Sequence, residues 1–182
     1  MQSNLKEHPR LVEHLKKHYR ERPARSQGLV KKWLRIDQPK VVLDKESRLL
    51  QGTWQAIAWE EDGDKDDPKL RAEILKYVRW TFEDDELSVT KAFTITNNDK
   101  TTVVGQGGTL ISTYKIDASK NPKVMIETTI SPHEGDVIRA IYKVEGDMLK
   151  VCMSKGDGVP KDFSAKRGSN CVLVTLKKVL AR

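Results

Sequence analysis

From Gly52 onward, apolar and polar residues alternate in short runs separated by turn-forming clusters, and no other feature restricts the fold as tightly. Side chains along a strand point to opposite faces in turn, so a two-residue period marks a sheet with one buried face. The clearest run sets Leu87, Val89, Phe93 and Ile95 against Ser88, Thr90, Thr94 and Thr96. Other runs begin at Gly52, Tyr77, Leu110, Val124, Val137, Asp147 and Cys171. Glu83-Asp84-Asp85, Asn97-Asn98-Asp99 and Glu145-Gly146-Asp147 supply turns between neighbours. Gly105-Gln106-Gly107-Gly108 interrupts the fourth strand, as a bulge or sharp bend does. About eight antiparallel strands can close into a cylinder whose interior holds packed side chains or one small ligand. The expected class is all-β with short helices: an antiparallel up-and-down β-barrel of about eight strands, preceded by an N-terminal helix. A two-layer sandwich is the competing architecture.

The extension before the barrel reads differently. Over residues 7–22, Leu11, Leu15 and Tyr19 recur at helical spacing among lysines and arginines, and Pro23 ends the pattern. Residues 24–47 read as an irregular connection whose Trp33 packs on the barrel, and Leu49-Leu50 is expected to tuck beneath one barrel end. Between the first two strands, Asp67-Pro68 provides a cap and first-turn proline for a short helix to about Lys76. Two parts result: a basic extension, 1–47, and a barrel domain, 48–182.

Charge separates the same two parts. Residues 1–47 hold twelve Lys/Arg and six Asp/Glu, and residues 48–182 hold twenty-one and twenty, so most of the net charge of +7 sits on the extension. A basic arm is drawn to acidic surfaces, whereas the near-neutral barrel has no such bias. The arm lacks a nucleic-acid-binding motif with interleaved aromatics, so the expected partner of residues 1–47 is a protein and not nucleic acid. No apolar stretch approaches the roughly 18 residues that span a bilayer. The start, Met1 to Pro9, has no apolar signal core; with Met1 as the natural start the expected location is cytoplasmic. Cys152 and Cys171 are too few for a disulfide framework or a thiolate metal site. They read as free, partly buried thiols or as one cross-strand pair.

Several segments carry a family likeness. Gly52-Thr53-Trp54 opens the first strand after a short apolar turn. It is followed by Thr113-Tyr114-Lys115-Ile116-Asp117, Ile141-Tyr142-Lys143-Val144-Glu145-Gly146-Asp147, Pro160-Lys161-Asp162-Phe163 and Leu173-Val174-Thr175-Leu176-Lys177. In this order they resemble the lipocalin-like domain family expanded in Planctomycetes, whose activity is unassigned, over residues 48–178. The resemblance implies a closed or nearly closed barrel in which the Trp of the Gly-x-Trp signature, here Trp54, seals one end. It also implies a basic residue from the last strand over that ring, a role open to Lys177, Lys178 or Arg182. The second and third lipocalin signatures are absent, so secretion, receptor binding and retinoid-like ligands are not implied.

Four hydroxyls among aliphatic residues form the candidate ligand site: Ser112 and Tyr114 in phase with Leu110 and Ile116, Thr128 with Val124 and Ile126, and Tyr142 with Ile138 and Ala140. A mostly apolar pocket with a few orienting polar groups has this composition, as does a filled core with satisfied hydroxyls. Arg139 and Tyr142 are three apart and point to opposite faces, which argues against an internal carboxylate clamp. His14 and His18 lie one helical turn apart without the glutamate of a metalloprotease motif, and His133 stands alone in a turn. The acidic loop 62–67 lacks the spacing of a calcium loop. No catalytic residue, metal or cofactor is therefore expected. The leading expectation is a non-enzymatic module holding a small apolar ligand. Its alternative is a filled barrel that docks a protein through its N-terminal helix or outer face, and an internal void separates the two.

Overall fold

The computed structural model describes residues 43–61, 68–97 and 100–180, all within the unit Val41–Arg182. The expected helix over 7–22, with His14 and His18, the packing of Trp33, the acidic loop with its Asp67 cap, and Arg182 lie outside these residues. The described part begins with helix α1, Lys45–Leu50, whose N-cap Asp44 accepts from the Ser47 amide at 2.7 Å. Residues 45–47, expected to be irregular, are thus helical, because an acidic cap in the right place satisfies a free helix-end amide. Leu50 is fully buried under the barrel as expected, but Leu49 on the other side of this turn is exposed.

Eight strands follow: β1 Gly52–Glu61, β2 Arg79–Glu83, β3 Glu86–Asn97, β4 Lys100–Asp117, β5 Lys123–Ser131, β6 Val137–Glu145, β7 Met148–Ser154 and β8 Cys171–Lys178. Each pairs antiparallel with the next, and β8 returns to β1 to close the barrel. Helix α2, Pro68–Leu75, links β1 to β2, and Tyr77 lies before β2 rather than within it. Closure leaves no free sheet edge among the described strands. It also gives the barrel a single inner surface, lined by Trp54, Trp80, Phe82, Leu87, Met125, Tyr142, Leu149, Val151, Val174 and Leu176. Burying each side chain of that size stabilises the fold by roughly 1.5–3 kcal/mol.

The alternation departs from its simplest form in two places. In β3, Leu87 and Val89 face inward, but Phe93 and Ile95 are exposed although the sequence pattern put all four on one face. The cause is the partner strand. The β3–β4 register shifts between Thr90 and Ala92 and again between Phe93 and Thr94, opposite the glycine run expected to bend the fourth strand. Gly107 comes so close to β3 that an added Cβ would stand 2.9 Å from the Ala92 carbonyl oxygen. Elsewhere, β6, β7 and β8 bury both faces. Their outer side chains, including Ile141, Cys152 and Leu173, form a second cluster with Phe163 and Ala165 of the β7–β8 connection. A strand covered on both sides loses its polar face, which explains the near-continuous apolar run Cys171-Val172-Leu173-Val174.

Candidate ligand cavity

The two barrel ends are built differently. At the end formed by the start of β1, Gly52 adopts φ +100°, a left-handed conformation that disfavours any residue with a Cβ. The next inward residue, Trp54, is fully buried and donates its indole N–H to the Leu50 carbonyl at 2.6 Å. The ammonium of Lys178, last residue of β8, stands 4.9 Å from the centre of that ring. Register decides the basic partner: Trp54 pairs with Lys178, whereas Lys177 turns outward to Asp147. Beside this plug, the Gln51 amide donates to the Tyr114 hydroxyl at 2.9 Å and accepts from the Asp84 amide at 2.8 Å. Tyr114 in turn donates to the Asp84 carbonyl at 2.8 Å, so one glutamine ties α1, the β2–β3 turn and β4 together. Burial pushes the Tyr114 hydroxyl up to about 12, so it stays a neutral donor. This end is sealed.

The other end is hollow. A cavity of about 510 Å³ opens among the end of β1, α2, β2, β3 and the interior faces of β4 to β7. Trp59, Trp80, Val89, Leu110, Ile138 and Met153 make most of its wall, and Ile74 and Leu75 of α2 cover it. The helix is held there by polar contacts: Gln55 donates to the Leu75 carbonyl, and Arg71 to the carbonyl of Trp59. The Trp59 indole donates to Glu61 at 3.1 Å, and Lys155 pairs with the same carboxylate at 2.6 Å, which fixes the ring at the rim.

One group in this wall is out of keeping with it. Glu127 of β5 is 1% exposed and lines the cavity, and its Oε1 has no hydrogen-bond partner among the described residues. Removal from water raises its pKa from an ordinary 4.5 to about 7. The Trp80 indole N–H, in the same wall, is also buried without a partner among the described residues.

The four expected ligand residues divide. Ser112, Tyr114 and Tyr142 face the interior as expected, and the Ser112 and Tyr142 hydroxyls are buried without partners among the described residues. They sit below the cavity, however, and do not line it. Burial also pushes the Tyr142 hydroxyl pKa upward. Thr128 is a correction: it lies exposed on the outer face, and Met125, Glu127 and Thr129 are the inward residues of β5. Hydrophobicity pointed to the other phase because Val124, Ile126 and Ile130 are aliphatic. Val124 in fact packs into the outer cluster, and Ile126 is exposed. Arg139 and Tyr142 do face opposite sides, the former reaching toward Asp157 at 4.0 Å. His133 is exposed in the β5–β6 turn. Cys152 and Cys171 are free and buried outside the barrel, and burial pushes the Cys152 thiol up to about 11. Among the described residues no group of three His, Cys, Asp or Glu side chains is placed to hold a metal ion.

A barrel plugged by tryptophan under a lysine at one end and hollow at the other defines a cup of lipocalin type. The sequence agrees: residues 50–166 match the lipocalin-like domain, and the chain belongs to that family. No curated protein matches it significantly. Among the described residues no helix is long and apolar enough to cross a membrane.

Proposed function

We propose that this barrel is a non-enzymatic binding module whose small, largely apolar ligand occupies the cavity beneath α2. The cavity itself carries the reading: about 510 Å³ falls within the roughly 300–1,000 Å³ of small-molecule sites. A close-packed barrel, which the docking alternative requires, has no such void. Membership of the lipocalin-like family supports the same conclusion. Ser112 and Tyr142 then act as a polar floor beneath the ligand rather than as its first contacts, Tyr114 keeps the floor in place, and Thr128 has no part. Two free buried thiols suit a reducing, cytoplasmic setting, and the basic residues 1–47 remain the segment for a protein partner.

Native mass spectrometry of the full chain after mild extraction tests the reading. The expected spectrum contains a mass adduct that disappears on collisional activation and yields a small organic molecule. A bare chain, together with an unchanged melting temperature across a panel of apolar compounds, would refute it.

A further inference from the structure

Beyond its apolar lining, the cavity carries a second layer of specificity in its polar wall, an inference that rests on the ligand-binding reading. A buried carboxyl oxygen without a partner is costly, because a group taken from water and given nothing in return loses its hydration outright. Glu127 occupies that position in the cavity wall. The neighbouring wall includes two indole rings, Trp59 and Trp80, and the Met153 side chain. A carboxylate that shares an apolar wall with indole rings suits an organic ammonium: the anion takes N–H donors, and an indole attracts positive charge placed over its face.

We propose that the cavity selects an apolar molecule bearing one amino group, seated with the amine toward the Glu127 carboxyl in the wall it shares with Trp59 and Trp80. A hydroxyl would satisfy the same oxygen with a single neutral donor, whereas an ammonium brings several donors and a full charge. A carboxylate ligand meets the opposite situation at that depth, since two like charges would share one desolvated site. The competing possibility for an anion lies at the rim, where Arg71 and Lys91 join Glu61 in the lining. Of these, Arg71 is already engaged with the Trp59 carbonyl, and Glu61 with Trp59 and Lys155. The side chain of Lys91 is exposed, so an anion there keeps its water and gains little.

The test uses octylamine, 1-octanol and octanoate, which share one chain and differ only in the head group. The full-length protein is titrated with each at about pH 8, where Glu127 is mostly ionised and the amine mostly protonated. Binding is followed by calorimetry and by intrinsic tryptophan fluorescence, to which Trp59 and Trp80 of the cavity wall contribute. Octylamine is expected to bind at least about tenfold more tightly than octanol, with octanoate weakest. In Glu127→Gln that preference should fall to within about threefold while octanol affinity is kept. Equal affinity for octanol and octylamine in the unaltered protein overturns the amine proposal alone and leaves the cavity reading standing, as does tightest binding of octanoate. No binding of any of the three overturns the amine proposal, and with a bare chain in native mass spectrometry and no melting shift across the apolar panel it overturns the cavity reading as well. The unaltered protein decides between these outcomes even where the glutamine variant is unstable.

Discussion

Replacing Glu127 with glutamine changes one atom of the cavity wall and removes a single buried titration, which makes the energetic role of this residue measurable. In the unfolded chain the carboxyl ionises near 4.5, and in the folded barrel near 7, because the apolar wall disfavours the anion. Between those pH values the native state binds more protons than the unfolded state, so stability falls as pH rises through the window. Below about 4.5 the residue is neutral in both states and costs nothing of this kind; above about 7 the full cost applies. At about 1.4 kcal/mol per pH unit, the interval amounts to about 3–4 kcal/mol. The side chain is almost wholly buried, so solvent screening reduces this little. Glu127→Gln keeps the shape and stays neutral throughout. Relative to the unaltered protein it should therefore gain stability steadily from pH 4.5 to 7 and be the more stable of the two at higher pH by up to about 3–4 kcal/mol. Urea unfolding of ligand-free preparations of both proteins at half-unit pH steps measures the difference, in which all other titrations cancel. A difference that stays constant across this range would refute the assignment of Glu127 to a dry wall.

Three further expectations concern the frame. Trp54→Ala should destabilise the barrel by about 3–5 kcal/mol in urea unfolding, since a fully buried ring, its hydrogen bond to Leu50 and its contact with Lys178 are lost together; a loss below about 1 kcal/mol would show that it is not a plug. Gly107→Ala places a methyl group 2.9 Å from the Ala92 carbonyl oxygen and should cost about 1–3 kcal/mol, with amide shifts confined to the β3–β4 bend; an unchanged melting temperature would mean that the close approach is not real. Cys152, buried beneath the Ser164 carbonyl with its thiol pushed up to about 11, should react with a thiol reagent only as fast as the protein unfolds, and rapid native-state labelling in a stopped-flow assay would contradict the covered outer face of β7.

The strands, their turns and their up-and-down succession were legible in the amino-acid order, because each rests on local chemistry; closure stood against a two-layer sandwich, and the Trp54 plug came from the family resemblance. Two-residue alternation makes strands, and Asp, Asn and Gly make their turns; in the folded barrel Gly52 takes the left-handed conformation and Trp54 turns inward. Which face of a strand becomes the inside is a different matter. In β5 the more aliphatic phase lies outside, because the ladder sets Met125 opposite Ala140 and so turns Glu127 inward and Thr128 outward. In β3 the inward phase changes midway because β4 bulges opposite it. The choice of Lys178 over Lys177 also depends on a register between strands far apart in the chain. So does the hollow end: its volume is what remains once α2 is tied across the mouth by Gln55 and Arg71, a quantity belonging to no single segment. Side-chain chemistry is written residue by residue, but a face, a register and a void exist only between elements, and closure of the sheet is the event that decides them.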